Sequence, residues 1–209
     1  MVVLNGRMSQ GSYSGWQKRR AMIGRLLAAF RLVLAQSDTD GARFESLGAK
    51  AVQVPGNLKF ASPPLPTDEK ALTEFSATIG TRPRWLAAST HAGEEALCGR
   101  VQNALKAKVP GVLTIIAPRH PDRGAAVARE LTDQGLRVAR RSLNEPILDT
   151  TDAYIADTMG ELGLFYRLCK IVFIGKTMSI KGADGKTVGG GQNPIEPALL
   201  SCALIFGKD

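Results

Sequence analysis

Arg84-Trp85-Leu86-Ala87-Ala88-Ser89-Thr90-His91-Ala92-Gly93-Glu94-Glu95 sets a pattern that recurs to the end of the chain. An apolar run of strand length stops at a polar turn bearing glycine, and helical spacing then takes over across 94–108. A second strand is predicted at 112–117 and a helix at 125–134. Strands follow at 136–139 and 153–156, then a short helix at 160–168. A strand at 171–174, a helix at 194–200 and a strand at 203–206 complete the series. Strands alternating with helices predict βαβ units and a mainly parallel sheet. With right-handed crossovers the result is α/β, a Rossmann-like doubly wound parallel sheet.

Upstream, Ile23, Leu26, Leu27 and Phe30 fall at helical spacing, which predicts an amphipathic helix over 16–30. Leu32-Val33-Leu34-Ala35 reads as a short buried strand. Ser37 suits the N-cap of a helix that Gly48 ends. A strand at 51–54 runs into Pro55-Gly56-Asn57-Leu58-Lys59-Phe60. Ser62-Pro63-Pro64-Leu65-Pro66 is the clearest boundary in the sequence. Three segments result: residues 1–61, a linker at 62–82, and the regular α/β region at 83–209.

The 209 residues are 44% hydrophobic and 22% charged, an ordinary balance for a globular protein. The net charge of +8 favours anionic partners: nucleic acid, an anionic membrane face or a phosphorylated substrate. The excess is uneven, with six Lys and Arg residues and no acid before Asp38. Aromatics at 6% and the lack of a binding motif argue against nucleic acid. Cys98, Cys169 and Cys202 stand singly in apolar surroundings, as reduced buried cysteines do. No apolar run approaches the length of a membrane span. Both ends of the sequence read as cut from something longer.

In open α/β sheets, ligands bind beyond the carboxyl ends of the strands, and the polar clusters obey that rule. Ser89 to Glu94 follows the first strand, and Pro118-Arg119-His120-Pro121 follows the second. Asp157-Thr158-Met159-Gly160-Glu161 follows a later one. Gly189-Gly190-Gly191-Gln192-Asn193-Pro194-Ile195-Glu196-Pro197 comes after the strand at 171–174. Thr158 to Glu161 has capping-box spacing, and Asn193 to Glu196 has the related N-x-x-E form with Pro194 as the first helical residue. Taken singly these are structural devices; the three glycines add room for a ligand to approach the backbone. Arg119, between two prolines, is placed to clamp a phosphate. Gly175-Lys176-Thr177 and Gly185-Lys186-Thr187 each mimic the end of a P-loop but lack its upstream glycine. The basic segment 176–188 is read as a surface loop. His91 and His120 have no metal-ligand spacing, so no metal site is expected.

Five blocks together resemble one family. They are Gly56 to Phe60, Ala88 to Glu95, Pro118 to Pro121, Asp157 to Glu161 and Gly190 to Pro197, with Asn5-Gly6-Arg7-Met8-Ser9 near the start. Their sequence and order are similar to those of the 3-deoxy-D-manno-octulosonic acid (Kdo) transferases of Gram-negative bacteria. The resemblance implies a GT-B glycosyltransferase that moves Kdo from CMP-Kdo to a lipid A precursor. It implies inversion at the anomeric carbon, no metal and no cofactor, at the cytoplasmic face of the inner membrane. By motif, Pro118, Arg119, Met159, Gly160, Glu161, Asn193, Pro194, Ile195 and Glu196 would hold CMP. Lys59 would stabilise the transition state.

The same resemblance assigns residues 1–61 to the end of an acceptor-side domain and 83–209 to the donor-binding domain. It places the catalytic base and a second supporting acid upstream of Met1. The expected partners are CMP-Kdo, the lipid A precursor and an anionic membrane surface, with no nucleic acid. Donor binding without independent turnover is the expectation for these 209 residues. A nucleotide-binding module without catalysis is the alternative.

Overall fold

The computed structural model describes residues 1–178, 180–181, 187–188 and 192–207. The chain divides into two compact units, Met1–Pro63 and Pro64–Asp209. The triple glycine 189–191, residues 179 and 182–186 of the basic segment 176–188, and with them Gly185 and Lys186 of the second P-loop mimic, lie outside the described residues.

The first unit is a small parallel α/β layer. It runs β1 (Val2–Gly6), α1 (Gln10–Gln17), α2 (Arg20–Ala28), β2 (Leu32–Ala35), α3 (Asp38–Ser46) and β3 (Val52–Gln53). The strands pair in the order β1-β2-β3, all parallel. Its core gathers Met8, Ile23, Leu27, Val33, Ala35, Phe44 and Leu47. The helix expected over 16–30 begins only at Arg20, because Arg19 leaves helical geometry at φ −126° and ψ 38°. A separate α1 precedes it and buries no residue. Ser37 caps α3 as expected, accepting from the Asp40 N–H at 3.1 Å.

The second unit opens with α4 (Glu69–Ile79), which stands inside the stretch 62–82 expected to be linker. Asp68 caps it through the N–H groups of Lys70 and Ala71. Its Ala71, Leu72 and Phe75 pack on the core. Its Leu72, Phe75 and Ile79 do fall at helical spacing behind the Asp68 cap, but the prolines of 62–66 make the whole stretch read as a connector. Then follow β4 (Arg84–Thr90), α5 (Glu94–Lys106), β5 (Leu113–Pro118), α6 (Gly124–Asp133), β6 (Val138–Arg140), β7 (Ala153–Ile155), α7 (Leu162–Leu168) and β8 (Ile171–Ile174). A short antiparallel pair, β9 (Ile180–Lys181) and β10 (Thr187–Val188), precedes α8 (Ile195–Leu199) and β11 (Ala203–Ile205).

Six of these strands form one parallel sheet in the order β11-β8-β4-β5-β7-β6. The chain leaves β4 toward β5 and β7, then returns to build β8 and β11 on the other side. The gap between β4 and β8 is therefore a switch point, where the loops after the two strands diverge and a crevice opens. Alternation along β4 splits the core. Leu86 and Ala88 face a layer holding Phe165 and Leu164 of α7, while Trp85 and Ala87 face Cys98 of α5 with Val127 and Leu131 of α6. Helices cover both faces, so the strands read as near-continuous apolar runs.

Candidate functional site

The loops beyond β4, β5 and β8 surround a cavity of about 460 Å³. Ala88 and Ser89 end one wall, Ile174 ends another, and Leu65 and Pro66 of the same unit close a side. A second cavity of about 80 Å³ adjoins it, sharing Ser89, Arg119, Gly160 and Leu162.

Backbone geometry explains why the crevice forms. Ser89 adopts a left-handed φ of 55°, a conformation few non-glycine residues take, and the β4–β5 register shifts there. The strand bends, and the Arg119 N–H donates to the Thr90 carbonyl at 2.9 Å. On the other flank the Gly175 N–H donates to the Ala88 carbonyl at 2.8 Å. A side chain at Gly175 would collide with the Ser89 carbonyl, so glycine is what lets the β8 loop approach this closely.

Two glutamates at the start of α5 hold the loops in place. Glu94, 2% exposed, accepts at Oε2 from the His91 and Lys176 N–H groups, each at 2.9 Å. One carboxylate oxygen thus ties the β4 loop to the β8 loop. Its other oxygen, Oε1, is buried with no hydrogen-bond partner among the described residues. Glu95, fully buried, accepts from the Thr90 hydroxyl at 3.0 Å and pairs with Arg123 at 2.6 Å. In the sequence these acids look like ordinary solvated residues in the first turn of a helix. Nothing in the spacing separates that reading from a buried loop clamp.

Of the residues expected to hold a ligand, seven line the two cavities: Pro118, Arg119, Met159, Gly160, Glu161, Asn193 and Glu196. Pro194 and Ile195 line neither cavity. Lys59 lies in the first unit, on a short 3-10 turn, Leu58–Ala61, capped by Asn57. Arg119 is exposed and is the one cation lining either cavity among the described residues. It also makes no ion pair among them. Its charge is therefore free for an anionic ligand.

The two capping signatures are used differently from expectation. Helix α7 starts at Leu162, its N-cap is Glu161, and no side chain caps it. Thr158 instead donates to the Glu161 carboxylate. That carboxylate is drawn to Arg141, which donates through Nη2 at 2.7 Å and Nε at 3.1 Å. The Arg141 guanidinium holds the Glu161 carboxyl below the usual carboxylate range, with burial opposing and Thr158 assisting. Arg141 also lies over the Phe75 ring at 4.9 Å. Sequence reasoning missed it because 20 positions separate the partners. At α8 the first helical residue is Ile195 and Pro194 takes the cap position without a side-chain bond. Asn193 still accepts from the Ile195 N–H at 3.2 Å and donates to Glu196 at 3.3 Å. Behind the site, burial pushes the Tyr166 phenol up, so this wall of the cavity stays neutral.

An exposed guanidinium, two carboxylates and a side-chain amide thus line two adjoining cavities at a switch point, the place where open α/β sheets bind ligands. A family model described as 3-deoxy-D-manno-octulosonic-acid transferase (kdotransferase) matches residues 1–62. The 3-deoxy-D-manno-octulosonic acid transferase of Rickettsia bellii is 33% identical over 209 residues, covering 100% of this chain and 48% of that protein. The Haemophilus influenzae transferase of the same name is 33% identical over 213 residues, covering 99% and 47%. The chain thus spans about half the length of the curated relatives it matches. The crystal structure of the C-terminal CMP-Kdo binding domain of WaaA from Acinetobacter baumannii matches with a TM-score of 0.57 and 30% identity. That match covers 65% of this chain and 67% of the other. Whole-length similarity to the transferases, the family model on the first unit and the match to a solved donor-binding domain agree: the chain belongs to the 3-deoxy-D-manno-octulosonic acid transferase family.

Proposed function

We propose that the cavity at the β4–β8 switch point binds the CMP portion of CMP-Kdo, for transfer of Kdo to a lipid A precursor at the cytoplasmic face of the inner membrane. The observation that carries this reading is the guanidinium of Arg119, without an ion-pair partner among the described residues, where the two cavities meet. Glu161, Asn193 and Glu196 are the acceptors and donors for the nucleoside, with Pro118, Met159, Gly160, Pro194 and Ile195 shaping their loops. In this GT-B reading residues 1–61 close an acceptor-side domain and 83–209 form the donor domain.

The reaction is an inverting in-line displacement without metal. The acceptor hydroxyl forms a bond to the anomeric carbon and its proton passes to a base. The bond from that carbon to the phosphate oxygen breaks, and CMP leaves with the electron pair. Arg119 and Lys59 offset the charge that grows on the departing phosphate, a contribution of about 3 kcal/mol for one well-placed donor. The resemblance assigns the base to no residue of these 209, so the chain alone binds the donor and does not transfer it. Acceptor glycosylation above background by this chain overturns that part.

Titration calorimetry with CMP tests the core of the proposal. The wild-type chain binds, and Arg119→Ala weakens binding roughly tenfold or more, as loss of a charge-assisted hydrogen bond does. Unchanged affinity in Arg119→Ala overturns the assignment. Affinity that persists in EDTA is the expected result for a metal-free site, and its loss there counts against one.

A further inference from the structure

We propose that Tyr166 is a specificity-determining residue of the nucleotide cavity, its hydroxyl donating to a ribose hydroxyl oxygen of the bound nucleotide. This rests on the reading that the cavity binds CMP, and it adds a residue to which no motif pointed.

The first observation is a buried phenol whose hydroxyl has nothing to bind. Tyr166 lies on α7, is 3% exposed and packs in the core with Leu164 and Leu168. Its hydroxyl makes no hydrogen bond among the described residues. Yet it does not belong to the side-chain atoms sealed from solvent without a partner, which are Thr67 Oγ1, Trp85 Nε1, Glu94 Oε1 and Gln134 Oε1. The little surface that Tyr166 keeps adjoins the cavity of about 460 Å³ that it lines. Buried tyrosine hydroxyls find hydrogen-bond partners. Here the partner comes from whatever fills the cavity.

The ring is held ready for that partner. The Cys202 thiol, just past α8, donates to the Tyr166 carbonyl at 3.2 Å and fastens the two helices together. A side chain fixed by packing loses little further freedom on binding.

The neighbouring charge says which group it meets. Glu196 lines the same cavity. Its Oε1 accepts from the Asn193 amide at 3.3 Å, and it makes no ion pair among the described residues. Burial first, and then the Glu196 carboxylate, keep the phenol protonated and so a donor. One wall of the cavity therefore offers a neutral O–H donor and a carboxylate acceptor. A hydroxyl group uses both, because it accepts one hydrogen bond and donates another. A phosphate would be repelled by Glu196. A ring amino group only donates and would leave the phenol without an acceptor. Within CMP the two ribose hydroxyls are the groups that fit.

Titration calorimetry of the 209-residue chain and of Tyr166→Phe with CMP, 2′-deoxyCMP and 3′-deoxyCMP tests the proposal. The substitution removes one oxygen and keeps the ring, so the melting temperature should hold. Tyr166→Phe should weaken CMP binding about three- to tenfold, the worth of one neutral hydrogen bond. That loss should vanish with one of the two deoxy nucleotides. Wild type should itself bind that nucleotide more weakly than CMP by at least the same factor, a result that needs no variant to fold. Equal wild-type affinity for all three nucleotides overturns the proposal. So does an equal loss on all three in Tyr166→Phe, which puts the contact on the base or the phosphate. Wild-type binding of CMP with an unchanged Tyr166→Phe affinity sinks the proposal alone. Absence of CMP binding by wild type sinks the reading beneath it as well, so the two failures are told apart.

Discussion

Glu161 shows how one carboxylate can belong to both structure and site. Both its oxygens face Arg141, and Thr158 donates to one of them, yet the residue lines the smaller cavity. Its carboxyl sits below the usual range because Arg141 hydrogen-bonds the ionised form. A depressed folded pKa adds stability that is present above the unfolded value of about 4.3 and is lost as pH falls through the folded value. Arg141→Gln should therefore lower stability near neutral pH by about 1–3 kcal/mol, the worth of hydrogen bonds to a charged group. Thermal melts of the two proteins should converge in acid, and a gap that stays constant with pH would rule out the ion pair as the cause. Asp40 plays the corresponding part in the first unit. It is 7% exposed and accepts from the Met8 N–H at 2.8 Å and the Ser37 hydroxyl at 2.6 Å. Asp40→Ala leaves the Met8 N–H without its partner, and a loss of about 1–3 kcal/mol in denaturant unfolding is expected.

Among the elements, the approach of β8 to β4 decides whether the crevice exists. A Cβ at Gly175 meets backbone atoms of Ser89 and Thr90, which cannot rotate away. One at Gly99 of α5 meets side-chain atoms of Gln134 and Leu131, away from the site. Both Gly175→Ala and Gly99→Ala should cost about 1–3 kcal/mol through overpacking. Only Gly175→Ala should also weaken CMP binding, as measured at a temperature where both are folded. Equal CMP affinity in the two variants would detach the loop junction from the site. The strands of this sheet were legible in the sequence because both faces are covered, which makes Leu86, Ile115 and Val172 part of near-continuous apolar runs. The Ser37 cap was legible for a local reason, since its partner Asp40 is three residues away. The same spacing at Thr158 and Asn193 misleads. At Thr158 a long-range partner, Arg141, takes the glutamate; at Asn193 the helix is only five residues long. Arg141 was invisible as a site residue, and Glu94, though it stood in a strand-end cluster, gave no sign of tying two loops together, because burial and pairing across the fold leave no periodic trace. Strand order was equally hidden: β7 inserts between β5 and β6, and no local pattern encodes which strand becomes the edge.

At the scale of the whole molecule, charge and site residues are distributed unequally between the two units. Residues 64–209 carry only +2 of the net charge, yet they hold every proposed CMP contact. This unit has helices on both faces of a six-stranded sheet and two core clusters of its own. Its first ordered helix, α4, packs Phe75 edge-on against Tyr154 and Phe165, so the segment 64–82 belongs to that core. A cut at Pro63–Pro64 therefore leaves the second unit's packing intact. The segment 64–209 should fold alone and bind CMP within about twofold of the 209-residue chain, a difference well under 1.4 kcal/mol. Lys59 is lost in this cut, and by the proposed role it acts on charge that develops during transfer rather than on the bound ground state. Lys59→Ala in a catalytically complete relative is then expected to lower kcat while leaving CMP affinity unchanged. Calorimetry on 64–209, and turnover together with calorimetry on Lys59→Ala of that relative, read the two predictions separately. A large loss of CMP affinity in a well-folded 64–209 would place ground-state contacts in the first unit and remove the division of labour between donor holding and charge stabilisation.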